Sequence, residues 1–314
     1  MTRKIILDCD PGIDDGIALI LALFDPRLEV MAITPTAGTV DAEQATTNVT
    51  AIIGKLDPVR YPRQGRAFVA NDTGMPTDAH LNGTDGLANS HFPHASRQHD
   101  QPSDKVITDL IRRYPGEITL VCLGPLSNLA RVCQRDPSAL PLLDKVVISG
   151  GAVSHAGNAT AVAERNFYFD PVAARTVMAS PITKSLVPLD VAEAVTFGVD
   201  LLDQLPSTQT RAGELLHKWL SFAFRVAHQR LGRETIALQD ALAVTAVTEP
   251  EWFQWQDMAG DVEVAGNLTR GMSVFDRRLR PEWQTNMEVA RRVNVADARD
   301  AIVRGLRYAG QQTC

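Results

Sequence analysis

The sequence predicts an α/β protein built on a mostly parallel central sheet. Short apolar runs alternate with longer stretches of helical period through most of the 314 residues, which is the pattern of repeated βαβ units. The predicted strands are "KIILDC", "LEVMAIT", "EITLVCL", "DKVVISGG" and "TKSLVPLD". They are apolar on both faces, as strands must be when helices cover a sheet on both sides.

Helices are expected after most of these strands, and the later part of the chain has a different pattern. The first helices are predicted at "DDGIALILALF", "DAEQATTNVTAIIGKL", "PLSNLARVC" and "PVAARTVMAS". The stretch "RAGELLHKWLSFAFRVAHQRL" has the period of one long amphipathic helix. The segments "DMAGDVEVA", "GMSVFD" and "NMEVARRVN" indicate a small, late antiparallel strand group. We interpret residues 1–314 as one domain, interrupted near residues 62–102 by a long polar loop.

The composition excludes several classes of function. A net charge of −6 gives no basic surface for nucleic acid or an anionic membrane. No apolar run reaches about 18 residues, so no membrane-spanning helix is expected. The start "MTRKIILDCD" lacks the apolar core of a signal peptide, and the four cysteines form no C-x-x-C pair. We therefore expect a cytoplasmic protein with reduced thiols.

Four carboxylates crowd the stretch "DCDPGIDDG", directly after the first predicted strand. Asp8 and Asp10 lie where this strand ends, and Asp14 and Asp15 fall in the first turn of the next helix. A single aspartate here would most simply cap the helix. Four together raise one another's pKa unless a cation lies among them, and hard divalent cations prefer oxygen ligands. The stretch therefore predicts a bound Ca²⁺ or Mg²⁺ at the carboxyl end of the strand.

Phosphatase chemistry is a second interpretation of the same stretch. An apolar strand followed by Asp-x-Asp also opens the haloacid-dehalogenase-type phosphatases, in which the first aspartate is a nucleophile and the second an acid. Those enzymes usually place Thr or Val soon after the pair, whereas Pro11 and Gly12 follow here. No later lysine and acidic pair stands out in the expected order, so this is the weaker alternative.

A second polar stretch, "HAGNATAVAERNFYFDP", follows the strand "DKVVISGG". Its Asn158, Glu164 and Asn166 can bind a polyhydroxylated ligand, because amides donate and accept hydrogen bonds and a carboxylate accepts them from hydroxyls. A solvated surface loop is equally compatible with these residues. Asp240 in "LQDALAV" is by itself typical of a helix N-cap, and "LGPLSNLA" of a structural turn.

Taken in order, these blocks resemble the inosine-uridine nucleoside hydrolase family. The resemblance rests on "DCDPGIDD", "LGPLSNLA", "ISGGAVSHAGN", "GNATAVAERN" and "QDALAV", and it covers most of the chain. It implies a Rossmann-like α/β fold and an enzyme that hydrolyses the N-glycosidic bond of ribonucleosides to ribose and free base. The substrate would be a small-molecule nucleoside, and relatives form homodimers or homotetramers.

The resemblance also implies a role for each residue of the motifs. A Ca²⁺ ion would be held by three aspartate side chains and one backbone carbonyl, those of Asp10, Asp15, Asp240 and Leu123. The ribose hydroxyls would meet the metal and four side chains, those of Asp14, Asn158, Glu164 and Asn166. The metal would orient a water and lower its pKa, and Asp10 would take the proton as general base. Nearby carboxylates would stabilise the oxocarbenium-like transition state, with Asp8 supporting the cluster.

The chain departs from the family pattern at positions expected to face the substrate. Gln239 stands where a histidine commonly precedes the last metal-binding aspartate and is thought to protonate the leaving base. Thr39 replaces an asparagine near the catalytic water, Asn82 replaces a histidine, and Arg165 replaces an aromatic residue near the sugar. Ser149, in place of a methionine, is a milder change. We count Thr39, Asn82, Ser149 and Gln239 among the substrate-binding candidates.

These departures affect the expected chemistry of the leaving base. Glutamine cannot act as an acid near neutral pH, so His228 on the long helix is the first candidate for that role and His80 the second. The departures also leave open an alternative function. The chain would then be a metal- and nucleoside-binding homologue with weak or no catalysis.

Overall fold

The computed structural model describes residues 2–68, 78–92 and 101–314. The strands of this part of the chain are β1 (Arg3–Cys9), β2 (Leu28–Pro35), β3 (Arg63–Gln64), β4 (Ile118–Cys122), β5 (Lys145–Ser149), β6 (Lys184–Val187), β7 (Thr196–Gly198), β8 (Thr235–Ala237), β9 (Phe253–Met258), β10 (Gly260–Val262), β11 (Ser273–Phe275) and β12 (Met287–Val293). Eight of them form one sheet in the order β3-β2-β1-β4-β5-β6-β12-β9. All neighbours in it are parallel except β12 and β9.

Helices pack on this sheet and connect its strands. The α-helices of the described residues are α1 (Ile13–Phe24), α2 (Ala42–Leu56), α3 (Ala79–Asn82), α4 (Ser103–Arg113), α5 (Ser127–Arg135), α6 (Arg165–Phe169), α7 (Pro171–Ala179), α8 (Leu189–Ala192), α9 (Arg211–Val226), α10 (Gln239–Thr248) and α11 (Val295–Gln312). A π-helical turn, Ala227–Leu231, continues α9. Across the described ranges, every helix is too short or too polar to span a membrane.

Each central strand contributes to two apolar cores, one on each face of the sheet. In β1, Ile5 and Leu7 belong to one core and Ile6 to the other, as alternate residues of a strand must. All three side chains are fully buried. The prediction of a mostly parallel α/β sheet covered by helices is therefore confirmed, and its physical basis is the burial of both strand faces.

A close contact between α1 and α9 fixes one wall of the site. Trp219 of α9 is fully buried against Gly16 of α1, where a Cβ atom would lie 2.7 Å from the Trp219 ring. The absence of a side chain at Gly16 lets the two helices approach. Trp219 Nε1 also donates to Ser90 Oγ at 3.3 Å, which joins the segment after α3 to the same wall.

The last third of the chain differs in part from the sequence prediction. Antiparallel pairs are present, since β9 pairs with β12 and β10 with β11 in this way. However, β12 also pairs in parallel with β6, so it extends the main sheet instead of belonging to a separate group.

Two other regions could not be predicted in full. The antiparallel pair of β7 and β8 is missing from the prediction because strands of three residues carry too little periodicity to be recognised. Within the predicted loop at 62–102, β3 and α3 are short ordered elements. Residues 69–77 and 93–100 of that loop lie outside the described part of the chain.

Candidate active site

The carboxyl ends of β1, β4 and β5 lie side by side, and the aspartate cluster is at this edge of the sheet. Asp10, just past β1, is 3% exposed, and its Oδ2 accepts a hydrogen bond from the Thr39 backbone N–H at 2.6 Å. Gly38 and Gly124 enclose it, because a Cβ atom there would lie 2.2 Å and 2.4 Å, respectively, from an Asp10 carboxylate oxygen. Only glycine allows the backbone to approach this carboxylate so closely at both positions.

Asp14 and Asp15 lie in the first turn of α1, as predicted, and both accept backbone hydrogen bonds. Asp15 Oδ2 accepts from the Gly12 N–H at 3.0 Å and its Oδ1 from the Asp10 N–H at 3.2 Å. Asp14 Oδ2 accepts from the Asp240 N–H at 3.1 Å. Asp14 Oδ1 is enclosed and has no hydrogen-bond partner among the described residues. Asp15 thus stabilises the start of α1, whereas Asp14 connects α1 to α10.

Asp240 enters the cluster from α10 and does not cap that helix. Leu238 is the N-cap residue, and Asp240 Oδ1 accepts a hydrogen bond from Ser149 Oγ at 2.8 Å. The Leu123 carbonyl, just past β4, accepts from Asn166 Nδ2 at 2.7 Å. We refer to four side chains together as the carboxylate floor: Asp10, Asp14, Asp15 and Asp240.

Burial disfavours the ionised form of the four carboxyl groups of the floor. It raises the pKa of Asp14 to about 7 and holds the pKa of Asp15 above its ordinary value. The pKa values of Asp10 and Asp240 are raised well above their usual range, first by burial and then by the negative charge of the other floor aspartates. The floor therefore requires either protons or a cation to balance its charge.

The floor has suitable donor atoms for a divalent cation, although its side chains are not yet in a metal-binding arrangement. Across the described part of the chain, no three His, Cys, Asp or Glu side chains are placed so that they could hold a metal ion. The hydrogen bonds named above use only part of the acceptor capacity of these carboxylates, and Asp14 Oδ1 accepts none from the residues that the structure describes. An all-oxygen set of this charge suits Ca²⁺ or Mg²⁺, so the chemistry of these donors fits the predicted ion.

Asp8 lies beneath the floor and supports it from β1. Its Oδ1 accepts hydrogen bonds from Thr34 Oγ1 and Asn128 Nδ2, both at 2.7 Å. Its Oδ2 is buried, with no partner among the residues that the structure describes. Burial raises the pKa of Asp8 to about 7. These bonds connect β1 to β2 and α5 directly below Asp10.

A cavity of about 560 Å³ lies above the carboxylate floor. One side of it, which we name the polar side, is formed by Asp78, Asn158, Glu164, Arg165 and Asn166. Another side, which we name the apolar side, is formed by Ala223, Val226, Ala227, Leu231, Ile236 and Leu238. The predicted substrate residues Thr39, Asn82 and Gln239 also line the cavity. Ser149 is fully buried, and it contacts the site by donating from Oγ to Asp240 and by accepting at its backbone carbonyl from Asn166 Nδ2 at 3.2 Å.

Backbone groups hold the side chains of the polar side in place. Glu164 is the N-cap of α6 and accepts hydrogen bonds from the N–H groups of Asn166 and Gly151, both at 3.0 Å. Asn158 Oδ1 accepts from the Arg165 N–H at 2.8 Å. Asn166 donates to the Leu123 carbonyl, as described above. The residues predicted to meet the sugar are therefore together, and each is fixed in orientation.

Arg165 pairs with a residue that the sequence analysis did not identify. Its Nη1 contacts Asp78 Oδ2, and the side chains of the pair are 30% and 7% exposed. Both residues also line a smaller adjoining cavity of about 230 Å³. No local pattern could have identified Asp78, because it lies 87 positions from Arg165 and the contact exists only in the fold.

Thr39 and Asn82 pack over the start of α1. Asn82 Oδ1 accepts a hydrogen bond from the Ile13 N–H at 3.2 Å. A Cβ atom at Gly12 would lie 3.0 Å from Thr39 Cγ2 and 3.2 Å from Asn82 Oδ1. Both side chains therefore hold the turn that carries the floor aspartates, in addition to lining the cavity.

The structure brings Gln239 into the cavity but not His228. The His228 side chain is 66% exposed, and its Nδ1 pairs with Glu234 Oε1 at 2.9 Å. Among the described residues, the lining of the main cavity does not include it. His80 lines only the smaller cavity. His155, which the sequence analysis treated as an ordinary loop residue, does line the main cavity.

Known proteins with similar sequences place the chain in a family. Residues 5–300 match the family described as inosine-uridine preferring nucleoside hydrolase. The chain belongs to this family. It is 31% identical to a non-specific ribonucleoside hydrolase of Salmonella paratyphi B, over 97% of this chain and 98% of that protein. It is 30% identical to a probable uridine nucleosidase of rice, Oryza sativa subsp. japonica, over 90% of this chain and 87% of that protein.

Solved structures of the nucleoside hydrolase family have the same fold as this chain. A purine-preferring ribonucleoside hydrolase from Gardnerella vaginalis superposes with a TM-score of 0.90 at 27% identity, over 99% of both chains. A plant nucleoside hydrolase superposes with a TM-score of 0.90 at 26% identity, over 98% of this chain and 99% of that one. The predicted family, α/β fold and nucleoside hydrolase class are therefore confirmed. The family is one of metal-dependent hydrolases, which agrees with the donor atoms of the carboxylate floor.

Proposed function

We propose that this chain is a Ca²⁺-dependent ribohydrolase that cleaves the N-glycosidic bond of ribonucleosides to ribose and free base. The observation that carries the proposal is the carboxylate floor, where charge that burial disfavours is concentrated beneath a cavity. A ribonucleoside matches the two sides of this cavity, because it joins a hydroxylated sugar to a flat, largely apolar base.

The lining of the cavity favours one orientation of the substrate. The base would lie against Val226, Ile236 and Leu238 on the apolar side, where its apolar surface is removed from water. The ribose hydroxyls would face the floor and Asn166. At the floor, Asp14 Oδ1 is an acceptor that has no hydrogen-bond partner among the described residues. Asn158 and Glu164 would bound the sugar on the polar side.

Asp10 is the proposed general base. The Thr39 N–H orients its carboxylate, which when ionised can take the proton of a water that attacks the anomeric carbon. As the bond to the base breaks, positive charge develops on the ribosyl ring. Asp14 and Asp240 lie where ionised carboxylates would stabilise that charge.

The same floor provides the proposed metal ligands. Asp10, Asp15, Asp240 and the Leu123 carbonyl would hold Ca²⁺, which when bound supplies an electrophile that lowers the pKa of water and attracts sugar hydroxyls. These carboxylates stay ionised near neutral pH only when a cation balances their charge. The ionised floor is needed both for the general base and for stabilising the sugar cation.

The proposal is tested by measuring ribose release. The purified protein is incubated with a panel of purine and pyrimidine ribonucleosides, with added Ca²⁺ or with a chelator. We expect ribose from at least one nucleoside, its loss on chelation, and its return when Ca²⁺ is restored. Ribose release that is unchanged by prolonged chelation contradicts the metal requirement, and no release from any nucleoside contradicts the proposed reaction.

A nucleoside-binding protein with weak or no catalysis is the second candidate. Gln239 favours it, since this residue cannot protonate a leaving base, and Thr39 and Arg165 are further departures at the site. It predicts chelator-sensitive nucleoside binding without ribose release. The phosphatase alternative predicts phosphate release from phosphoesters, which the crowded negative charge of the floor disfavours.

We also propose that residues 1–314 act as one domain, that the chain forms a homodimer or homotetramer, and that it acts in the cytoplasm without a nucleic acid or membrane partner. The acidic composition supports the absence of these partners. Sedimentation equilibrium of the purified protein tests the assembly, and a monomer at micromolar concentration would contradict it.

A further inference from the structure

The smaller cavity of about 230 Å³ adjoins the main cavity at its polar side, and the proposed function does not use it. Five residues line both cavities: Asp10, Asp78, Asn158, Arg165 and Asn166. Beyond this shared boundary, the described residues that line only the smaller cavity are Gly38, His80, Pro125, Ala159, Tyr168 and Phe169. Most of them are apolar or aromatic, so the smaller cavity differs in character from the carboxylate floor.

The polar groups at the shared boundary have partners within the protein. Arg165 Nη1 contacts Asp78 Oδ2, and Asn158 Oδ1 accepts a hydrogen bond from the Arg165 N–H at 2.8 Å. Asn166 Nδ2 donates to the Leu123 carbonyl at 2.7 Å. Because these bonds are made within the protein, the boundary does not depend on a ligand to satisfy them.

The charges around the smaller cavity disfavour an anionic ligand. The charge of Arg165 is balanced by Asp78, and Asp10 adds a carboxylate from the floor. His80 is exposed to solvent, so a charge on it would be screened. A phosphate group in this cavity would lie close to two carboxylates, with no unpaired buried cation to offset the repulsion. The cavity is therefore better suited to an uncharged group.

The substrate orientation proposed above directs one carbon of the sugar toward this cavity. In a ribonucleoside, the base on C1′ and the C5′ carbon on C4′ leave the same face of the ring at its two ends. With the base against the apolar side and the two ring hydroxyls at the floor, C5′ points to the polar side, where the smaller cavity adjoins. The inference therefore rests on the proposed function.

We propose that the smaller cavity binds an apolar substituent on C5′, and that the chain accepts ribonucleosides with a short alkylthio group in place of the 5′-hydroxyl. Pro125 is buried and Phe169 is half-buried, so alkyl carbons placed against them are removed from water. A thioether sulfur also makes favourable contacts with aromatic rings such as those of Tyr168 and Phe169. The bond that breaks is still the N-glycosidic bond, so the chemistry at the floor is unchanged.

Base-free sugars test the cavity without assuming which base is accepted. Calorimetric titration of the wild-type protein with Ca²⁺ present compares 5-deoxyribose, 5-S-methyl-5-thioribose and 5-S-butyl-5-thioribose, none of which can close to a six-membered ring. Relative to 5-deoxyribose, we expect Kd to fall about threefold with the methylthio group and about tenfold or more with the butylthio group.

Two results of this titration would overturn the proposal. One is a butylthio sugar whose Kd is less than about threefold below that of 5-deoxyribose, because burial of four alkyl carbons gives a larger gain. The other is ribose 5-phosphate that binds more tightly than 5-deoxyribose, because the cavity would then favour an anion. Neither measurement depends on the folding of a variant.

A substitution tests whether the gain arises in the smaller cavity. Ala159 is an exposed residue of the loop before α6 and lines this cavity, so a phenylalanine there should fill part of it. In Ala159→Phe, the ratio of the two Kd values, 5-deoxyribose to butylthio sugar, should fall below about threefold. Ala161 is exposed in the same loop and, among the described residues, lines neither cavity, so the control Ala161→Phe should keep the wild-type ratio. A wild-type ratio in folded Ala159→Phe would overturn the proposal.

Failure of this inference is distinguishable from failure of the proposed function, because the titrations need no reaction. Hydrolysis is measured in parallel on 5′-deoxyuridine, 5′-deoxyadenosine and their 5′-methylthio derivatives, and for each accepted base the methylthio derivative should have a KM about threefold lower. Hydrolysis without any gain from the alkylthio group overturns this inference alone. A gain in the titrations without cleavage of any nucleoside contradicts the hydrolase proposal and supports the cavity as a binding site.

Discussion

The carboxylate floor and the apolar side of the cavity are held in different ways. Asp10, Asp15 and Asp240 are buried, and each accepts a hydrogen bond from a backbone or buried side-chain donor. The apolar side includes the π-helical turn at the end of α9, where Leu231 is 53% exposed. The fold therefore sets the positions of the floor carboxylates in advance, while the proposed surface for the base stays open to solvent. Substitutions at the floor should change the reaction, and substitutions at the apolar side should change which base is accepted.

The largest expected effect comes from the floor. Asp10→Asn keeps the shape of the side chain but removes the proposed general base, so we expect kcat to fall by about a thousandfold. The exposed Asp203, outside the cavity, provides the control variant Asp203→Asn, which should keep wild-type kcat. Kinetics with a saturating nucleoside and circular dichroism of each variant check both statements. A kcat within tenfold of wild type in a folded Asp10→Asn protein would contradict the assignment.

The buried carboxyl groups of Asp8 and Asp14 should make the stability of the protein depend on pH. Burial raises the pKa of Asp8 and Asp14 from 3.8 to about 7, so the folded state holds protons that the unfolded chain has lost. The metal-free protein should therefore lose stability as pH rises from about 4 to 7, with little further loss from these two groups above that range. A loss of about 2 kcal/mol corresponds to a decrease in Tm of about 3 °C for a chain of this size.

Thermal unfolding at pH 5 and pH 8, with and without chelator, checks this prediction. Added Ca²⁺ should raise Tm more at pH 8 than at pH 5, because the carboxylates bind the ion only when ionised. A double variant, Asp8→Asn with Asp14→Asn, should flatten the dependence in chelator, whereas Asp203→Asn should leave it unchanged. A metal-free protein that is more stable at pH 8 would contradict the raised pKa values of Asp8 and Asp14.

On the polar side, the Arg165–Asp78 ion pair should contribute to the free energy of unfolding. Asp78→Asn leaves the half-buried Arg165 without its partner and should reduce the free energy of unfolding by about 1–2 kcal/mol, less than for a fully buried pair. Arg165→Phe combined with Asp78→Asn should recover part of that loss, because no unpaired charge remains. Urea unfolding measures each variant. The exposed pair of Arg304 and Asp300 is the control, and Asp300→Asn should cost less than about 0.5 kcal/mol.

The smallest effect is expected for His228, in the π-helical turn that continues α9. A histidine that protonated the leaving base would contribute about a hundredfold or more to kcat. His228 is exposed and paired with Glu234, so we expect His228→Ala to change kcat by less than about twofold on each accepted nucleoside. A hundredfold loss of kcat would instead support the hypothesis that His228 moves into the main cavity and acts as the acid.

Much of the fold could be predicted because its signals are local. The strand "KIILDC" and the helix "DDGIALILALF" follow from apolar periodicity, and the aspartates between them necessarily lie at a strand end. Periodicity failed for β7 and β8, which are too short, and for the parallel pairing of β12 with β6. That pairing depends on a neighbour about a hundred residues away, and the segment itself carries no information about it.

The sequence by itself determined the family, the α/β sheet and the identity of the acidic side chains, since these depend on residue types in a fixed order. Only the tertiary structure decided which of them act together. It placed Asp78 against Arg165, left Gln239 Nε2 without a hydrogen-bond partner among the described residues and kept His228 outside the cavity. Each of these depends on distances between elements far apart in the chain, and such distances are set by packing, which no local pattern records.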